Sequence, residues 1–144
     1  KTRVRTALSE GLQEDDVARM FIRWYEALLW GDDPPSDVLR ASNEHILPFA
    51  LPPGSDWLRS FSDEAERGRC TYQIGNLACL TFEDNMKVGN RPFAEKARVY
   101  AAPEAPYRTL REVLAWDDWT PDAIRTRSAA MRALVLERLD MAGP

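Results

Sequence analysis

The chain has 144 residues, 44% of them hydrophobic and 29% charged, with a net charge of −4. That length allows one hydrophobic core but not two, and the negative balance argues against a protein that coats nucleic acid indiscriminately. Its two cysteines, Cys70 and Cys79, give neither a disulfide framework nor a Cys-x-x-Cys metal pair, and no apolar run reaches membrane-spanning length.

The sequence begins at Lys1 without an initiator methionine, which reads as a piece of a longer protein. It opens on no signal-peptide pattern, and free thiols suit a reducing cytoplasm. Residues 14–30 read as an amphipathic helix. Val17, Phe21, Trp24, Tyr25 and Leu28 recur at three- and four-residue spacing, and Glu14, Asp15 and Asp16 suit the positive end of the helix dipole. Gly31 and the Asp-Asp-Pro-Pro run after it end the helix. Residues 43–47 are a short strand candidate, stopped by Pro48 and the loop 51–54. Asp56 can cap a helix running to about residue 67, with Trp57, Leu58 and Phe61 inward.

Gly75 breaks the chain, and residues 77–81 read as a second strand. Two helical stretches follow, about 83–88 and 92–100, with Pro92 favourable in a first turn. Residues 107–116 read as helical. In the last helix Thr120 is the N-cap and Pro121 the first helical residue, and Ile124, Met131, Leu134, Val135 and Leu139 form the apolar stripe. Trp24, Trp57, Trp116 and Trp119 fall at helical spacings or helix ends and are expected in the core. The fold class is α+β: mostly helical, with two short strands flanking a central loop.

Charge is unevenly spread. Residues 10–37 hold eight acidic and two basic side chains, whereas residues 86–111 hold six basic ones against Glu95 and Glu104. A bound polyanion would be drawn to the second stretch; an ordinary solvated face would look the same from charge alone.

The single histidine, His45, lies in Glu44-His45-Ile46-Leu47-Pro48. Hydrolysing a phosphodiester needs a base to activate water, a cation to stabilise charge on the phosphate and leaving oxygen, and a device that orients the base. An imidazole titrates near physiological pH and suits the base. Glu44 is an oxygen donor suited to hard cations such as Mg²⁺ or Mn²⁺. Strand neighbours point to opposite faces, so Glu44 and His45 converge only if the strand ends or bends there, and Pro48 is placed to end it. Asn85 offers an amide oxygen as a second ligand. Asn76, in the Gly75-Asn76-Leu77 turn, could orient the imidazole or fix the loop that carries it. One carboxylate and one amide are a sparse shell, which Mg²⁺ tolerates because it keeps several waters.

These segments, with Ile74 to Thr81 and then Asn85-Met86-Lys87-Val88-Gly89-Asn90-Arg91-Pro92-Phe93-Ala94-Glu95-Lys96, resemble the HNH, or His-Me finger, nucleases. Within that superfamily they are similar to the C-terminal nuclease domain of GmrSD-type modification-dependent restriction enzymes; the phosphorothioate-sensing anti-phage protein SspE carries a similar domain. Trp119-Thr120-Pro121 and the helix after it resemble the close of that domain. The likeness spans residues 40 to 140.

The resemblance implies a ββα-metal core over about residues 40–100 with helices at both ends, in a single domain spanning residues 1–144. His45 would be the general base, Glu44 and Asn85 the ligands of Mg²⁺ or Mn²⁺, and Asn76 the middle asparagine. Lys96 and Asn90 match positions near the scissile backbone, and Lys87, Arg91 and Arg98 are further candidates for contacts to the DNA backbone. Lys96 and Arg98 could equally be solvated charges, and Asn90 a helix cap ahead of Pro92. Glu stands where many relatives have Asp, which sets the cation one methylene further from the strand. Asn as the last ligand favours Mg²⁺ or Mn²⁺ over Zn²⁺.

The expectation is a metal-dependent DNA nicking endonuclease of a bacterial restriction or anti-phage protein, acting in the cytoplasm. It implies an N-terminal sensor or nucleotide-binding domain in the same protein, and a second site or a homodimer wherever both strands are cut. Two rivals stand beside it: a non-catalytic module that binds DNA or a partner through the same fold, and an RNase of the same chemistry. Convergence of Glu44, His45 and Asn85 discriminates an enzyme from a scaffold.

Overall fold

A computed structural model describes residues 2–102 and 106–141. Among the described residues seven α-helices accompany one two-stranded sheet: α1 (Thr2–Glu10), α2 (Asp15–Trp30), α3 (Glu64–Tyr72), α4 (Phe82–Val88), α5 (Phe93–Tyr100), α6 (Arg108–Val113) and α7 (Pro121–Met141). Strand β1 (Ser42–His45) pairs antiparallel with β2 (Leu77–Leu80), in a register that sets Glu44 opposite Ala78 and His45 opposite Leu77. Short 3-10 turns occupy Ser36–Arg40, Asp56–Arg59 and Ile74–Asn76. The α+β, mostly helical architecture expected from the sequence is therefore present, with β1, β2 and α4 forming the ββα unit. No described helix is long and apolar enough to cross a membrane.

Helix α2 ends as expected at Gly31, whose φ of 75° suits glycine, but its inward face differs from the expected one. Ala18, Ile22, Tyr25 and Glu26 are buried, while Val17 and Trp24 are exposed. The buried face is organised by Glu26, a polar residue that apolar periodicity cannot see. Its carboxylate accepts the backbone N–H groups of Arg108 (2.6 Å) and Thr109 (2.9 Å) at the start of α6, and the Trp30 Nε1–H (2.7 Å). A carboxylate at a helix N-terminus satisfies orphan donors and suits the dipole. Rotating the helix to bring Glu26 inward turns Trp24 outward. Trp57 and Trp119 are core residues as expected.

The helix expected from Asp56 to about residue 67 is two elements. Ser55, rather than Asp56, caps a single 3-10 turn, and Asp63 starts α3 afresh by accepting the Glu66 N–H at 2.6 Å. A second good cap eight residues downstream competes with helix continuation.

Helix α7 begins at Pro121, with Thr120 Oγ1 accepting the Ala123 N–H. It lies directly on the Ile74–Asn76 turn. A Cβ on Gly75 would sit 2.3 Å from the Ile124 carbonyl oxygen and 2.4 Å from Ser128 Oγ, so only glycine permits this approach. Arg127 Nη1 donates to the Gly75 and Leu77 carbonyls at 2.8 and 2.7 Å, and the Gly75 N–H donates to Ser128 Oγ at 2.9 Å. The turn that carries Asn76 is thus bolted to the C-terminal helix.

Candidate active site

A cleft of about 350 Å³ opens where β1 ends, lined by Asp15, Asn43, Glu44, His45, Pro48, Phe49, Asn85 and Asn90 among others. The strand ends at His45, as the proline three residues later suggested, and Glu44 and His45 both reach this cleft although they alternate along the strand.

His45 is almost wholly buried, with its ring centroid 4.1 Å from that of Phe49. Burial pushes its pKa down to about 4; Asp15 pulls it up and Lys96 pushes it down by smaller amounts. The imidazole is therefore neutral at physiological pH, the form that can accept a proton.

Glu44 lies at the centre of a buried polar cluster. Its Oε1 accepts from Lys96 Nζ and from the Tyr100 hydroxyl, both at 2.6 Å, and Lys96 Nζ also donates to the His45 carbonyl at 3.1 Å. Burial drives the Glu44 carboxyl up and the Lys96 ammonium down, and their mutual attraction opposes both shifts by a smaller amount. Lys96 is fully buried. The sequence reading set Lys96 at the DNA backbone or in solvent; in the structure its ammonium is instead turned to Glu44 and the end of β1. Phe93, Lys96 and Tyr100 share the buried face of α5. A lysine inside an apolar i, i+3, i+7 stripe was the signal available for this pairing, and Tyr100 was missed with it.

Asn85 is held by α4, whose cap is Thr81 accepting the Asp84 N–H at 3.1 Å. Its Nδ2 donates to Ser42 Oγ at 2.7 Å and to the Asn43 carbonyl at 3.1 Å. Two acceptors fix the amide's orientation, and Oδ1 remains available as an acceptor. Asn43, also lining the cleft, has a buried Oδ1 with no hydrogen-bond partner.

Asn76 does not touch the imidazole. It is fully buried, and its Oδ1 accepts the Leu47 N–H (2.8 Å) and the Trp119 Nε1–H (3.1 Å). Its Nδ2 donates to the Leu47 carbonyl (3.0 Å) and the Thr71 carbonyl (3.1 Å). Every hydrogen-bonding direction of the amide is used on structure. Of the two roles open from the sequence, these bonds match the one that fixes the loop after His45, since none goes to the imidazole.

The remaining candidates divide. Asn90 is exposed and lines the cleft. Lys87 and Arg98 line a separate depression with Thr81, Glu83 and Asp84, and Lys87 Nζ already pairs with Glu83 at 2.9 Å and Asp84 at 3.2 Å. Arg91 is exposed near Glu95. Asp15 is an acid at the cleft that sequence reasoning used only as a helix-dipole residue; it pairs with Arg19 and accepts from Asn43 Nδ2 at 3.5 Å. A larger apolar groove of about 740 Å³ between α2 and the Ser36–Arg40 turn contains none of the motif residues.

The donors in the cleft suit a hard, hydrated divalent cation. Asn85 Oδ1 and the Glu44 carboxylate are oxygen donors. Among the described residues no cluster of three His, Cys, Asp or Glu could hold a metal, and both cysteines are buried outside the cleft.

One histidine, one carboxylate and one amide oxygen thus line a single cleft of an α+β core. The chain belongs to the family described as GmrSD restriction endonucleases, C-terminal domain, whose model matches residues 6–134. It is thus a nuclease domain of the restriction-endonuclease type, with DNA as its substrate. No curated protein and no solved structure matches the chain.

Proposed function

We infer that the domain is an HNH-type, metal-dependent DNA nickase within a longer bacterial restriction or anti-phage protein, acting in the cytoplasm. The observation that supports this best is the meeting of His45, Glu44 and Asn85 in one cleft, with the imidazole neutral and the Asn85 carbonyl oxygen uncommitted.

In this reading His45 takes a proton from water as the water oxygen attacks phosphorus and the bond to the leaving sugar oxygen breaks. Asn85 and Glu44 are the residues that would hold Mg²⁺ or Mn²⁺, which supplies positive charge beside the phosphate and leaving oxygen when bound. Glu44 offers Oε2, because Oε1 is occupied by Lys96 and Tyr100. Lys96 positions both catalytic neighbours, gripping the Glu44 side chain and the His45 carbonyl. Asn76 holds Leu47, two residues beyond the base, at a fixed distance from β2. Asn90, Arg91 and Arg98 are the exposed polar residues proposed for backbone contacts, which position a duplex without reading its sequence.

One site cuts one strand, so double-strand breaks require a second site or a homodimer. Recognition of a modified base, or control by a nucleotide, belongs in this proposal to an N-terminal domain of the same protein.

The test is conversion of supercoiled plasmid to open circles in Mg²⁺ or Mn²⁺, comparing the native chain with His45→Ala. Metal-dependent nicking that disappears in the variant is the expected result. Equal nicking by both would remove His45 as the base.

A further inference from the structure

Helix α4 carries Asn85, and it also carries two of the most exposed large apolar side chains of the domain: Phe82 is 70% exposed and Met86 71%. Scattered exposed apolar residues are ordinary on protein surfaces. These two are not scattered. At 100° per residue, Phe82 lies about 60° and Met86 about 100° from Asn85 around the helix, whereas Glu83 and Lys87 lie about 160° away. As an i, i+4 pair the two are neighbours, about 5–6 Å apart at their Cβ atoms. Phe82 also borders the depression formed by Asp15, Ser42 and Asn43, next to the hydroxyl that receives the Asn85 amide. A third exposed apolar side chain, Phe49, lines the cleft itself, its ring tilted against that of His45 at 4.1 Å between centroids.

The polarity of α4 is therefore arranged around the site. Glu83 and Lys87, which pair with each other, face away from Asn85; Asp84 flanks it about 100° around on one side, and Phe82 and Met86 adjoin it on the other. Resting on the reading of this cleft as a DNA-cutting site, we propose that Phe82 and Met86 form an apolar wedge that enters a groove of the duplex beside the scissile phosphate and unstacks a base step there. A backbone lying across His45 and Asn85 brings these side chains against sugars and base edges rather than phosphates, and apolar side chains inserted at a base step open it. The wedge favours cutting at steps that unstack easily, such as pyrimidine–purine steps, without any hydrogen bond to a base.

The experiment uses a duplex labelled with 2-aminopurine, whose fluorescence rises on unstacking, mixed in Mg²⁺ with the His45→Ala chain so that no strand is cut. Two double variants are made in that background: F82S/M86Q, which removes the apolar character, and F82L/M86L, which keeps it. Both positions are exposed, and circular dichroism verifies the fold. The expected result is a fluorescence rise with His45→Ala and with the leucine pair. The polar pair should lose that rise, with binding weakened at least about fivefold, the lower end of what one base–side-chain stack contributes.

An equal rise and equal affinity with the polar pair, while the unaltered protein nicks plasmid, overturns the wedge and leaves the nuclease reading intact. No binding and no nicking by the unaltered protein overturns both. If the polar pair instead converts a dimer to a monomer on size exclusion with DNA binding unchanged, the face joins two copies of the chain and the wedge is refuted.

Discussion

Burial of His45 makes the folded protein sensitive to acid in a way that can be isolated. The imidazole titrates at 6.5 in an open chain and at about 4 in the folded domain. Between those values the unfolded chain binds a proton that the folded one refuses. Stability supplied through this group is therefore complete above pH 6.5, declines as the pH falls, and reaches its low plateau below about 4. At about 1.4 kcal/mol per tenfold change in proton affinity, that drop in pKa corresponds to about 3 kcal/mol. The assay is urea unfolding followed by tryptophan fluorescence at intervals from pH 7 to pH 4, in metal-free buffer, for the native chain and His45→Gln. Glu44 and the other carboxylates titrate in both proteins, so the difference between the two curves reports His45. The native chain should lose about 3 kcal/mol more than the variant over that range. If the two curves run parallel, the imidazole is solvated in the folded state and the argument that burial keeps the base neutral fails. The acid limb of nicking activity should follow the same group, falling near pH 4 rather than near 6.5.

Lys96→Met strands the buried Glu44 carboxylate and should destabilise the fold by about 3–5 kcal/mol, and adding Glu44→Gln should recover much of the loss; chemical denaturation of the two proteins checks both. Asn76→Ala leaves the Leu47 and Thr71 backbone groups and the Trp119 indole N–H without partners. It should lower stability by roughly 2–4 kcal/mol, and exchange of the Leu47 amide should accelerate at least as much as the global average. Gly75→Ala drives a methyl into the α7 backbone and should cost about 1–3 kcal/mol or more, read as a lowered melting temperature. Asn85→Ala should leave stability within about 1 kcal/mol, because the side chain is half-buried and makes two bonds at the surface of β1, but should weaken Mn²⁺ binding measured by calorimetry or paramagnetic relaxation. Unchanged Mn²⁺ affinity would remove Asn85 from the ligand set.

Much of the architecture was legible because it is written in local chemistry. Thr120 before Pro121 announces α7, Gly31 ends α2, and Pro48 limits β1, each through backbone preferences that act within a few residues. The candidates His45, Glu44, Asn85 and Asn90, which line one cleft, were picked out because their order along the chain matches a known pattern. What the sequence hid were interactions between distant polar groups. The orientation of α2 depends on Glu26 meeting an α6 backbone some eighty residues away, and hydrophobic periodicity assigns no place to a buried carboxylate. Lys96 looked like a surface cation for the same reason: a charged residue is usually solvated unless a partner waits inside. Asn76 was read as a candidate to orient the imidazole or to fix the loop, and its bonds all go to the loop and its supports. Only its four hydrogen bonds, one of them to Trp119, distinguish a residue that acts on substrate from one that holds a loop.

The bolting of the Ile74–Asn76 turn to α7 has a temporal corollary. During synthesis His45, Asn76 and Asn85 leave the ribosome well before Trp119, Arg127 and Ser128, which supply the contacts that hold the turn. Every group proposed for the chemistry is therefore made before the parts that align it. A nascent or prematurely released chain ending short of Trp119 carries the whole set of reactive side chains but not the clasp. For a domain of the restriction-endonuclease type, this order of manufacture ties assembly of the proposed site to completion of α7.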